Sequence, residues 1–292
     1  MKYAYYPGCS AESTARDQYM STMAVSRALG LELIEPAGWT CCGSTPAHQV
    51  NHGLAVSLAA VNLLKVKEMG LDMVVSCASC YSRMKIANHE ICEHAVTRAS
   101  VSEALGKDYD GSVRVRHFIE IILEDFGIEA FRKALTHSLG GMKVASYYGC
   151  LLVRPHDITG FDDPENPLFM DMLVQAMGGE YLNWPHKVEC CGASLTLTRS
   201  DLVVKLSDSI IGMAEASGAD CIAVACPMCQ INLDMRQDDI LKETGRRYDM
   251  PIMYITQLMG LCLGLTGKEV GLNRLVNSPA EIMTRVVNHG KS

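Results

Sequence analysis

One arrangement of five cysteines occurs twice in this chain, and that repeat constrains the architecture more than any other pattern. The first copy runs Cys9, then Cys41-Cys42 after 31 residues, then Cys77-Ala78-Ser79-Cys80 after 34 more. The second runs Cys150, then Cys190-Cys191 after 39 residues, then Cys226-Pro227-Met228-Cys229 after 34 more. From the vicinal pair onward, matching cysteines stand 149 positions apart. Such spacing implies two copies of one supersecondary plan, each closing on its own cysteine set. Of the thirteen cysteines only Cys92, Cys221 and Cys262 fall outside the scheme. Their apolar helix- or strand-like settings read as buried, inert thiols.

Between the cysteines, strand and helix patterns alternate in the same order in both halves. The first half gives a strand at Tyr3–Tyr6, a helix over 14–29, a strand at 31–34, a helix over 54–69 and a strand at Met73-Val74-Val75. Gly70 is the expected helix stop, and the residues after Cys80 read as another helix. The second half repeats this at 143–148, 168–177, 180–182, 201–216 and 220–225. Each half ends in a strand leading into a helix, over 113–124 and 251–262. This alternation predicts two homologous Rossmann-like α/β domains related by a pseudo-twofold, spanning 1–139 and 140–292, with the break near Leu139-Gly140-Gly141. In each, the first cysteine and the CxxC follow strands, so both are expected at strand carboxyl ends, where open α/β sheets gather ligands.

The charge balance narrows the partners. A net charge of −7, with no basic block, argues against nucleic acid. The opening MKYAYYPGC lacks the apolar core of a signal peptide. The longest apolar stretch, 251–265, is short of the ~20 residues a membrane span needs, so no direct membrane insertion is expected. The chain therefore reads as cytoplasmic, where clustered cysteines are metal ligands or redox thiols rather than structural disulfides. No G-x-G-x-x-G, P-loop or closely spaced ferredoxin run occurs, so electrons must reach the chain from elsewhere.

Three chemistries remain open for five thiols per copy. A structural zinc needs four ligands and leaves one cysteine over. An ordinary iron–sulfur cubane also needs four, so five hints at a different cluster. Metal-free thiol–disulfide exchange at each CxxC uses only two of the five.

The doubled pattern, with Gly43 and Gly192 completing two Cys-Cys-Gly segments, resembles the cysteine-rich "CCG" domain. Two such domains in a chain of this length resemble the B-subunit of heterodisulfide reductase and the heterodisulfide-reductase-like proteins of sulfur-metabolising bacteria. The likeness covers Tyr6-Pro7-Gly8-Cys9, Tyr148-Gly149-Cys150, both Cys-Cys-Gly segments and Ala225-Cys226-Pro227-Met228-Cys229. It implies two non-cubane [4Fe-4S] clusters. One would be held by Cys9, Cys41, Cys42, Cys77 and Cys80, the other by Cys150, Cys190, Cys191, Cys226 and Cys229; zinc in one half is the alternative. The likeness also implies two partner subunits in the complex, one ferredoxin-like and one flavin-containing. The implied substrate is a small-molecule or carrier-bound thiol or disulfide.

The reaction expected on that basis is cleavage or formation of a disulfide lying between the two clusters, with the clusters themselves as the catalytic centres. An electron-relay subunit of another oxidoreductase complex and a zinc-stabilised interaction module are the other readings. His48, His52 and Arg154 are candidate substrate contacts, with His156 and Arg199 nearby as further candidates. Loop histidines and surface ion pairs are their ordinary alternatives.

Overall fold

The computed structural model describes residues 1–44 and 46–290. Its first half runs β1 (Lys2–Tyr6), α1 (Arg16–Ala28), β2 (Glu32–Ile34), α2 (Pro46–Val50), α3 (His52–Met69), β3 (Met73–Val75), α4 (Ala78–Glu93), α5 (Ala95–Leu105), β4 (Val115–His117), α6 (Phe118–Glu120) and α7 (Ile128–Ala134). The second half runs β5 (Lys143–Tyr147), α8 (His156–Thr159), α9 (Phe169–Ala176), β6 (Glu180–Tyr181), α10 (Ser200–Ala216), β7 (Cys221–Val224), α11 (Pro227–Met235), α12 (Gln237–Thr244), β8 (Ile252–Tyr254), α13 (Ile255–Cys262) and α14 (Ala280–Asn288).

The strands form two four-stranded parallel sheets, β2-β1-β3-β4 and β6-β5-β7-β8. Parallel strands need covering on both faces, and the central ones here are apolar and buried along nearly their whole length. The two sheets share one register. Tyr6 pairs with Val75 in the first, and Tyr147 pairs with Val224 in the second. Because strand order reverses between β1 and β3, and between β5 and β7, each sheet opens a crevice at its carboxyl edge there. Cys9 and Cys77 leave that edge in the first half, Cys150 and Cys226 in the second.

The halves pack by reciprocal exchange. Helix α1 lies on α13, which follows the last strand of the other half, and Ser21 Oγ meets Thr256 Oγ1 at 2.7 Å. The counterpart contact sets α9 against α6 and α7. Helix α4 reaches α8, where the buried Tyr81 hydroxyl donates to the Thr159 carbonyl at 2.9 Å. A self-complementary exchange of this kind is what a pseudo-twofold requires. Among the described residues no helix is long and apolar enough to cross a membrane.

Candidate metal centre

Each cysteine loop is shaped by the same small set of neighbours. Gly8 and Gly149, just before the first cysteine of each set, have φ of +77° and +65°. A Cβ there would sit 3.2 Å from Cys80 Sγ in one half and 3.2 Å from Cys229 Sγ in the other. Only glycine allows both the backbone turn and the close thiol. Three residues before each first cysteine, a tyrosine reaches across to the vicinal pair. Tyr6 donates to the Thr40 carbonyl at 2.7 Å, and Tyr147 to the Glu189 carbonyl at 2.6 Å. These carbonyls directly precede Cys41-Cys42 and Cys190-Cys191, so each tyrosine pins one end of a pair. The Gly43 N–H donates to Cys41 Sγ at 3.4 Å, as the Gly192 N–H does to Cys190 Sγ at 3.4 Å.

The thiols themselves converge. Cys42 and Cys80 Sγ lie 3.3 Å apart, and Cys191 and Cys229 Sγ 3.5 Å apart. Cys150 and Cys190 Sγ lie 3.9 Å apart. The free thiols of Cys41 and Cys42 also interact, as do those of Cys77 and Cys80 and those of Cys226 and Cys229. The free Cys77 and Cys226 thiols also interact across the two halves. A continuous run therefore passes from Cys41 through Cys42, Cys80, Cys77, Cys226 and Cys229 to Cys191. In both sets the CxxC pair and the second vicinal cysteine are buried, while the first vicinal cysteine is exposed.

Such a run cannot ionise as a whole without cations among the sulfurs. Cys42 is held well below the ordinary thiol range by donation from Cys41 and Cys80, and Cys226 by donation from Cys229 and Cys77. Their donors are held above it, Cys80 through its bonds to Cys42 and Cys77, and Cys77 through its bond to Cys226. Donation from Cys150 lowers Cys190 to about 6. Adjacent thiols thus oppose each other's charge, and metal ions among the sulfurs would relieve that opposition. Among the described residues, no group of three or more His, Cys, Asp or Glu side chains is already drawn together around a single metal-ion position. The donor set is soft, sulfur-only and largely buried, and it fits iron–sulfur clusters.

A cavity of about 180 Å³ opens against these thiols. One wall carries all five second-set cysteines with Tyr148, Leu151, Ala193, Ser194 and Met228; the other carries Ser44, His48, Ser79 and Arg83 from the first half. Of the expected substrate contacts, His48 is on this wall. His52 lies outside it, 3.6 Å from Glu90 and 63% exposed. Arg154 is also outside, paired to Glu165 at 2.7 Å and bonded to the Val188 carbonyl. Arg199 pairs with Asp201 on the surface, and His156 is exposed at the start of α8. Arg83 escapes a reading of the sequence because Ser-Arg-Met-Lys resembles an ordinary helix face. Cys221 and Cys262 are buried, but Cys92 is exposed, since α4 carries it past the core to the loop at Asp110 and Gly111.

Comparison with known proteins agrees with the repeat. The cysteine-rich CCG domain matches residues 3–85 and 144–234. A membrane anchor subunit of an 8-methylmenaquinol:fumarate reductase from Wolinella succinogenes is 30% identical over 94% of this chain and 96% of its own. A heterodisulfide reductase B-subunit-like protein from Archaeoglobus profundus is 29% identical over 99% of both chains. The B-subunit of a ferredoxin/F420H2-dependent CoB-CoM heterodisulfide reductase from Methanosarcina acetivorans is 27% identical over 98% of this chain and 97% of its own. Among solved structures, a hypothetical protein from Helicobacter pylori shares the fold with a TM-score of 0.77 at 12% identity; the match covers 95% of this chain and 52% of that one.

Proposed function

Since the chain belongs to the cysteine-rich CCG domain family, with the domain present twice, we propose that it is the disulfide-handling iron–sulfur subunit of a heterodisulfide-reductase-like complex. Cys9, Cys41, Cys42, Cys77 and Cys80 hold one cluster, and Cys150, Cys190, Cys191, Cys226 and Cys229 the other, each a non-cubane [4Fe-4S] group. The domains they organise are 1–139 and 140–292. When bound, the clusters supply one-electron transfer and iron able to take up sulfur. The protein's own part is placement and enclosure. Its β1/β3 and β5/β7 crevices aim both thiol sets at one region, and the buried CxxC pairs keep water from their sulfurs.

The observation that carries this reading is the contact of the two sets at Cys77 and Cys226, beside a cavity walled by both halves. The partners on this reading are a ferredoxin-like protein and a flavin-containing one within the complex, and the reaction either cleaves or forms the disulfide bond. One observation favours a second reading, relay within a membrane-associated reductase: the Wolinella succinogenes relative is named for such an enzyme.

Metal analysis and spectroscopy separate the readings. Anaerobically reconstituted protein is expected to hold about eight irons with matching sulfide, as two four-iron clusters require. A thiol or disulfide added to it should perturb the cluster spectrum. Iron near four with stoichiometric zinc would overturn the two-cluster assignment, and a spectrum indifferent to every thiol would favour relay.

A further inference from the structure

The cavity is lopsided in a way that the repeat makes readable. At the 149-residue offset, Ser44 corresponds to Ala193, Ser79 to Met228 and Arg83 to Asn232. Ala193 and Met228 line the cavity, so at these matched positions the second-half wall is apolar where the first-half wall carries two serines and a guanidinium; Ser194 supplies a hydroxyl on the second-half side, but no cation stands there. Asn232 is fully buried and occupied: its amide donates to the Cys191 carbonyl at 3.1 Å and accepts from Thr196 at 3.1 Å. It closes its own cysteine loop. Arg83 has no such task. Its Nε is buried without a hydrogen-bond partner, and its one charged neighbour is the Cys42 thiol. Ser79 and Arg83 lie one helical turn apart on α4, so they share the cavity face. His48 faces the same space with its buried Nδ1 unpartnered.

A guanidinium stays charged in any protein, and a buried Nε–H with no acceptor is a donor left unmet beside the cavity. The duplication shows that this position does not need a cation to build the fold. We propose that Arg83, with His48 and Ser79, seats an acidic group of the substrate, a carboxylate or a comparable oxyanion, while the apolar wall at Leu151, Ala193 and Met228 receives its uncharged remainder. The ligand is thus a thiol or disulfide that is acidic at one end. Its sulfur chemistry rests on the function proposed above; the anion seat rests on the cavity alone.

The test uses the reconstituted full chain and two disulfides of similar size, 3,3′-dithiodipropionate and bis(2-hydroxyethyl) disulfide. Binding is measured by calorimetry without electron donor, and turnover with reduced methyl viologen. The acidic disulfide should bind more tightly than the neutral one. In R83Q its Kd and KM should rise about 10- to 100-fold, the worth of a lost charge-assisted contact, with kcat changing far less. R83K should recover part of the preference. The proposal is overturned if native protein binds both disulfides equally, or if R83Q weakens both alike. It is also overturned if R83Q moves only the reduction potential or the iron content. Absence of turnover with tight, Arg83-dependent binding would overturn the disulfide reading and leave the anion seat supported.

Discussion

Side chain by side chain, tolerance at this site is set by groups that shape the thiols as much as by the thiols themselves. Tyr6 and Tyr147 are both buried, and each spends its hydroxyl on the carbonyl just before a vicinal pair. Removing either hydroxyl strands a carbonyl, so Tyr6→Phe and Tyr147→Phe should each cost about 1–2 kcal/mol. Because the freed loop carries the proposed cluster ligands, iron retention should fall with stability. Urea melts combined with iron assays check this, and unchanged values in both would show the pins dispensable. The ten cysteines are legible in the sequence because their spacing repeats without help from the fold. The pins are less so: doubled tyrosines at 147–148 make Tyr148 look like the partner of Tyr6. The structure gives that role to Tyr147, while Tyr148 lines the cavity and accepts from the Met170 and Asp171 N–H groups. Arg83 becomes visible only when the two halves are aligned and each polar residue is asked for its polar twin.

Among the helices and strands, long periodic segments are readable and short terminal ones are not. The strand at Met73–Val75 and the Gly70 stop stand where the sequence puts them, with Gly70 left-handed at φ +65°. Helices α5, α12 and α14 go unread because their apolar positions are few or follow polar loops with weak start signals. Helix α1 is readable, yet its polar buried face is not. Asp17 is 4% exposed near its start, facing the tail at Gly271 and Arg274. Burial raises its carboxyl from 3.8 to about 6, against the lowering effect of its backbone contacts and Arg274. The folded chain keeps a proton that the unfolded chain releases, so stability declines as pH rises from near 4 to about 6 and then levels. The loss by pH 7 should be about 2–3 kcal/mol. Asp17→Asn should remove that slope and leave the protein more stable than the parent at pH 7. Denaturation midpoints from pH 4 to 7.5 provide the check, and parallel curves for both proteins would mean Asp17 is not the source.

Taken as one particle, the protein has two like halves that the sequence implies, but the way they meet is not written there. Duplication alone is compatible with cysteine sets at opposite ends of the particle. What brings them together is the exchange of α1 and α13, α4 and α8, and α9 with α6 and α7. Those contacts depend on side chains such as Ser21, Thr256 and Tyr81 that carry no recognisable motif. The resulting thiol run crosses the interface, which makes the two sets interdependent. If both take part in each cycle of disulfide chemistry, damage on either side should be equally severe. Cys42 and Cys191 are the matched buried members of the two vicinal pairs, contacting Cys80 and Cys229. Cys42→Ser and Cys191→Ser should therefore each abolish disulfide turnover, while iron analysis shows the loss of one cluster. Stability should change modestly, since serine nearly matches the volume and the fold is held by both sheets. An asymmetric result, with one variant retaining near-parental disulfide reduction despite losing its cluster, would exclude paired action and make that half a relay. The same pair of variants thus decides between a centre shared by both halves and a single working half with an electron store beside it.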